Sequence, residues 1–336
     1  MVAGSSGWRR AAVFCGWALV VAAGYYTAAR IGLPTALVDG QVTPLWPPTG
    51  VALVVLCWLG PRALPGIALG AFLVNVTLGP SLPAVLVITV GNTLAPAASY
   101  LLLRLTGFHV ELDRFKDVLG LVFLGAFVGM SISAAVGSAA LVFGSGLSPA
   151  HFVSAASVWW TGDAMGVLTI TPLLLVVRAH PWRVRVRPAR WAEAVVLVAV
   201  TSAVTFLVMS SAVDLMFLIF PFLIWSALRF QLFGGAVCAL IVSVFAVRAA
   251  VVADGPFAGL DLTAKMITLQ AFNGSVALTT LLLAAITAAR NRAQRSLEQA
   301  GIELDRLMHV LGPATTLSAR LRLARSQQPE PDDGQS

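Results

Sequence analysis

The residues best placed to do chemistry are those of the run Trp159-Trp160-Thr161-Gly162-Asp163-Ala164-Met165-Gly166. It puts a carboxyl group inside an apolar stretch, residues 152–178, long enough to cross a bilayer. Asp163 falls about eleven residues into that stretch, near mid-depth at about 1.5 Å per residue. A carboxylate there costs on the order of 2.5–3.5 kcal/mol on insertion scales. A buried partner, a water-filled cavity or a proton must offset that cost. Two readings follow, a site for binding or gating and a hydrogen-bonded clasp between helices. No Ser/His pair, metal-ligand cluster or phosphate loop accompanies the acid, so the expected chemistry is recognition, and the chain is not expected to be an enzyme.

Other polar side chains occur at a similar depth. Asn75, Asn92, Gln270 and Asn273 lie within about nine residues of one end of their apolar segments, counted as helix. With Trp160 and Asp163 they predict a pocket opening to the outer face, with Arg30, Arg248 and Lys265 near its rim. The preceding Leu45-Trp46-Pro47-Pro48-Thr49-Gly50 reads as an interfacial tryptophan followed by a stiff helix start, or as a rigid lip over the pocket. Arg229, at the inner end of its segment, is expected to snorkel to the headgroups.

The elements that must position these residues are transmembrane helices. The chain has 336 residues, of which 58% are hydrophobic and only 11% charged, where a soluble chain carries roughly 25% charged residues. The reading is all-α, a polytopic transmembrane helix bundle in the cell membrane. Ten apolar segments run near 11–30, 46–60, 63–79, 83–105, 118–143, 152–178, 191–211, 214–229, 232–252 and 264–289. An eight-span count with 46–79 re-entrant is the alternative. With ten spans and a cytoplasmic N-terminus, all of the 22 Lys and Arg residues except Arg30, Arg248 and Lys265 fall on the cytoplasmic side. Both termini are therefore expected in the cytoplasm. The net charge of +7 punctuates the spans and forms no single patch, which argues against nucleic-acid binding. Cys15, Cys57 and Cys238 lie inside apolar spans, and the four histidines are scattered, so no disulfide, metal or cofactor is expected.

Residues 1–10 form a cytoplasmic start and 11–289 the membrane domain. Segment 290–325 is a helical stalk with an amphipathic end, and 326–336 a disordered tail. In the stalk Leu297, Leu304 and Leu311 repeat every seven residues, with Ala300 and Leu307 between them, which suits a parallel homodimer through 290–311. Gly312-Pro313 is expected to end that helix, and Thr315 to Arg325 to lie on the inner membrane surface.

The ordered series LWPPTG at 45–50, PGIALGAFLVN at 65–75, GNTL at 91–94 and WWTGDAMGVLTITPLL at 159–174 resembles the membrane-associated sensor domain of the first MASE type. FPFLIWSALRF at 220–230, the Gly255-Pro256-Phe257 triplet and LQAF at 269–272 extend the resemblance over about residues 10–295. It marks Pro47, Pro48, Gly50, Gly162, Arg229, Gly255, Pro256 and Phe257 as structural motif residues. It implies an integral-membrane sensory input module, of a kind usually fused to a histidine kinase, a diguanylate cyclase or a phosphatase. No phosphoacceptor box or GGDEF-like run follows Arg290, and the flanks of His309 lack the acidic residue and proline of a kinase box. The expectation is a signal-input protein that acts through a partner supplied in trans. The alternatives are a small-solute transporter, and an assembly partner that holds another membrane protein.

Overall fold

The computed structural model describes residues 4–37, 42–78, 81–144, 146–179, 188–211 and 213–326. The expected disordered tail lies almost wholly outside them, as does most of the basic loop from Arg178 to Arg190. The helices are α1 Gly4–Gly32, α2 Pro47–Leu59, α3 Leu64–Leu78 and α4 Leu82–Leu105. Then come α5 Phe115–Gly144, α6 Phe152–Ala179, α7 Pro188–Met209, α8 Phe220–Val252 and α9 Leu262–Ser326. The chain divides into two units, Met1–Thr287 and Ala288–Ser336.

Eight helical stretches among the described residues are long and apolar enough to cross a membrane. Two of the eight double back. Between α2 and α3 the chain turns through Gly60–Ala63, with Gly60 at φ 64°, a left-handed conformation that glycine adopts without strain. On α3, Gly66 packs on Ala18 and Val21, and Gly70 on Ala22 and Tyr25, so α3 runs parallel to α1. Pro47, at the start of α2, instead lies beside Gly32 at the end of α1, so α2 runs the other way. Within α8 the backbone breaks at Gln231, φ 54° and ψ −143°. Gly234 lies against Phe230 and the carbonyl of Ser226, and Gly235 approaches Ala227. In a straight helix eight residues would separate those positions by about 12 Å. Residues 220–230 and 232–252 are therefore two antiparallel limbs. The eight membrane-length stretches thus contain ten helical limbs among the described residues, with Pro47–Leu59 and Leu64–Leu78 two short ones.

The ends of these passes gather as the charges require. Arg178, at the end of α6, lies over the ring of Trp58 at 4.7 Å, and Arg104 over Tyr100 at 5.8 Å. The Gly60 turn sits near the Tyr100 hydroxyl, so Arg62 shares this face with Arg104 and Arg178. At the other face Ser81 donates to the Gly144 carbonyl, and Gly255 sits against the Met209 carbonyl. The Gly255–Phe257 turn drives Phe257 fully into the core there.

Peripheral helices expose apolar side chains, among them Phe14, Trp17 and Val20 on α1 and Trp191, Val195 and Leu207 on α7. In water this would be an aggregating surface; in a bilayer it meets lipid. Helix α6 is the most enclosed of the candidate spans. The second unit is helical as far as Ser326. The helix does not stop at Gly312-Pro313 as expected but runs on to Ser326, the Leu, Ala and Arg residues on either side of the pair being strong helix formers. Leu297, Ile302, Leu304 and Leu307 are exposed on it.

Candidate functional site

The site forms where two of the motif runs interlock, LWPPTG at 45–50 and WWTGDAMG at 159–166. Residues 42–50 are buried without exception, so the chain enters α2 from a non-helical wedge already inside the bundle. This explains why α2 is short, about 20 Å for its 13 residues. Trp46 accordingly is buried and does not stand at the membrane interface.

Irregular backbone at this depth survives only if protein satisfies its polar groups. Here it does. The Trp46 N–H donates to the Gly162 carbonyl at 2.9 Å, and the Leu37 N–H to the Val42 carbonyl at 2.8 Å. The Thr49 hydroxyl lies between the carbonyls of Trp46, 2.8 Å, and Asp163, 3.0 Å. Thr43 and Leu45 close a local turn through the Thr43 hydroxyl. Such contact between backbones requires glycine. A Cβ on Gly162 would come within 2.0 Å of the Thr43 carbonyl oxygen, and one on Gly166 within 2.0 Å of that of Trp46. Gly50 is the reciprocal position, where a Cβ would come within 2.2 Å of the Gly166 carbonyl oxygen. Pro47 and Pro48 start α2 where free N–H groups would otherwise need partners.

Behind this lock lies the Asp163 carboxyl, 0% exposed. One oxygen, Oδ2, accepts from the Ser133 hydroxyl of α5, and Trp159 is its other polar neighbour. The second oxygen, Oδ1, has no hydrogen-bond partner among the described residues, and Asp163 makes no ion pair there. Ser133 carries one proton and has two acceptors, because its hydroxyl also lies 2.9 Å from the Met130 carbonyl. A small cavity of about 20 Å³, room for on the order of one water molecule, adjoins the carboxyl. Its walls are the wedge (Val42, Thr43, Trp46), the end of α3 (Asn75, Leu78), Asn92 of α4, and Trp159 and Asp163. Asn92 Oδ1 is likewise without a partner, and the buried Tyr25 hydroxyl lies beside Trp46 and Asn92.

Of the residues the sequence put forward, Asp163, Asn92, Asn75 and Trp46 meet at this cavity. The other three do not. Trp160 turns to α5, where its indole N–H donates to the Phe127 carbonyl at 2.8 Å. That carbonyl belongs to Gly120–Val128, a stretch of wide π-type turns whose Gly125 carbonyl also accepts from Ser99 at 2.7 Å. Gln270 and Asn273 are buried but line no part of the cavity, and both amides lack partners among the described residues. The rim cation Arg248 lies in a separate cleft with Phe206, Phe245 and Asp254. Arg229 pairs with Glu193 at 2.6 Å, a partner the sequence did not name. Sequence reasoning also missed Tyr25, Ser133 and Thr43, common residue types in apolar runs that carry no signal of their own.

The family model MASE1 matches residues 17–291, which include the wedge, the carboxyl and the helices from the second half of α1 to the first part of α9. The chain belongs to the MASE1 family. MASE1 domains are integral-membrane sensory domains of signalling proteins, and this one is a multi-pass membrane protein. No curated protein and no solved structure matches the chain.

Proposed function

We propose that this MASE1 chain receives a signal at the Asp163 site and relays it to a signalling partner, a kinase, cyclase or phosphatase, on the arginine-rich side of the membrane. The observation that carries the reading is a buried carboxyl with one oxygen unpartnered, beside a small cavity and under a backbone-to-backbone lock. The wedge is bonded to the backbone carbonyls of Gly162 and Asp163, and its Thr43 and Trp46 line the cavity beside the carboxyl, so a change at the carboxyl is felt where the wedge meets α6. On α5 the same change acts through Ser133. By the positive-inside rule the arginine-rich face, and both termini with it, is cytoplasmic.

The exposed Leu297, Leu304 and Leu307 offer an apolar seam for a partner helix or for a second copy of this chain, and their spacing suits a parallel coiled coil. The transporter alternative draws no support from a cavity of about one water's volume.

The test is disulfide cross-linking in native membranes at Leu304→Cys, with and without Asp163→Asn. The reading expects a changed yield or a changed cross-linked partner when the carboxyl is neutralised. An identical pattern in the two proteins would refute relay from Asp163.

A further inference from the structure

We propose that the ligand of this site is a proton, taken up by Asp163, so that the module reports acidity or the protonmotive force; this rests on the sensory reading above. Size is the first argument. The cavity beside the carboxyl holds on the order of one water molecule, and the wedge that roofs it is bonded backbone to backbone to α6. An organic ligand needs a pocket of roughly 300 Å³ or more. A water molecule fits, and it finds the acceptors a bridging water requires in Asp163 Oδ1 and Asn92 Oδ1, both otherwise without partners.

Compensation is the second argument. Among the described residues, the groups around the carboxyl are Tyr25 from α1, Thr43 and Trp46 from the wedge, Asn75 from α3, Asn92 from α4, Ser133 from α5 and Trp159 from its own helix. Tyr25 is the one other titratable side chain among them, and none is cationic. An ionised Asp163 therefore rests on the Ser133 hydroxyl and neutral dipoles.

The third argument is the Ser133 hydroxyl itself. It has one proton and two acceptors in reach, Asp163 Oδ2 and the Met130 carbonyl. When Asp163 is ionised, Ser133 donates to Oδ2 and the Met130 carbonyl loses that bond. When a proton binds, the carboxylate and H⁺ become a carboxylic acid whose O–H donates to Ser133 Oγ, and Ser133 donates to Met130. Every hydroxyl proton then has an acceptor. No other bond is made or broken. Proton uptake thus reverses the hydrogen bond between α5 and α6 at the turn that follows the π-type stretch. That stretch is also held from α6 by Trp160, so one proton changes how α5 is tied to its neighbour.

Infrared difference spectroscopy on the full chain in lipid nanodiscs, titrated between about pH 4 and pH 9, tests this. The expected result is a protonated-carboxyl C=O band that is lost as the pH rises. It should be absent in Asp163→Asn and displaced to higher frequency in Ser133→Ala, which removes the oxygen that accepts from the acid. A titrating band unchanged by both substitutions, or none attributable to Asp163 at any pH, overturns the proposal. The cross-linking at Leu304→Cys separates the two failures. If that pattern still depends on Asp163 but not on pH, the proton inference fails and the sensory reading stands. If the band titrates while the cross-link ignores Asp163, the proton site stands and the sensory reading fails.

Discussion

Two aspartates of this protein are buried, Asp163 at 0% and Asp117 at 1% exposed, and each leaves one carboxyl oxygen without a hydrogen-bond partner among the described residues, yet their surroundings differ. Asp117 sits in the first turn of α5, where the helix dipole favours a negative charge. Its Oδ1 accepts the His109 backbone N–H at 3.1 Å and lies 3.7 Å from the His109 ring, which in turn contacts Arg114. Asp163 is in mid-helix, far from either dipole end, with the Ser133 hydroxyl and the Trp159 side chain as its polar neighbours. Burial alone does not mark a switch. What separates the two is the kind of compensation: Asp117 accepts a backbone N–H at a helix start beside His109, whereas Asp163 has only neutral side-chain partners in mid-helix, which is why the proposal falls on Asp163. Glu193 is a third case, a partly exposed carboxylate paired with Arg229 at 2.6 Å.

The most drastic way to break this contrast is steric. Gly166→Val places side-chain atoms where the Trp46 carbonyl lies, and should cost about 3 kcal/mol or prevent folding. Loss of the monodisperse peak and of the thermal transition in detergent would report it; a normal melt would mean that the wedge is not locked as described. Next comes Asp117→Ala, which strands the His109 N–H and should destabilise by about 2 kcal/mol in a denaturant titration. Asp163→Asn should behave differently, changing stability by less than about 1 kcal/mol while abolishing the pH response, since it removes a charge that has little to hold it. If the asparagine destabilises as much as Asp117→Ala, both acids are structural and the contrast collapses. The smallest effect is expected for Arg229→Gln. An exposed pair of this kind contributes little, so the melting temperature should not move measurably.

The passes were legible in the sequence because apolar length and arginine placement are strong and independent signals. Even the break at Gln231, with no proline or glycine at the turn itself, showed through the Arg229 charge that bounds it. The cavity was only half legible. Depth along a helix can be counted, and it correctly grouped Asp163, Asn92 and Asn75. Azimuth cannot be counted in helices that are apolar all round, so Gln270 and Asn273 shared the depth without sharing the site. The wedge was misread for a related reason. Val42 to Trp46 carry no charge, and only the glycines of a helix more than a hundred residues later give that backbone room to bury. The Arg229–Glu193 pair was invisible because its members are 36 residues apart on different helices.

The wedge also constrains how the protein is made. Thr49 bonds to the carbonyl of a residue 114 positions later, and Thr171 to one 121 positions earlier. As the nascent chain enters the bilayer, the first four passes emerge while α6 is still untranslated. Residues 42–46 then have no carbonyl or glycine cleft to receive them, and their polar backbone cannot stay in lipid. They must wait at the water interface until α6 arrives, so seating the wedge is a late step of biogenesis. The Asp163 cavity is assembled only after α6 has been inserted, and a chain stalled before α6 does not carry it.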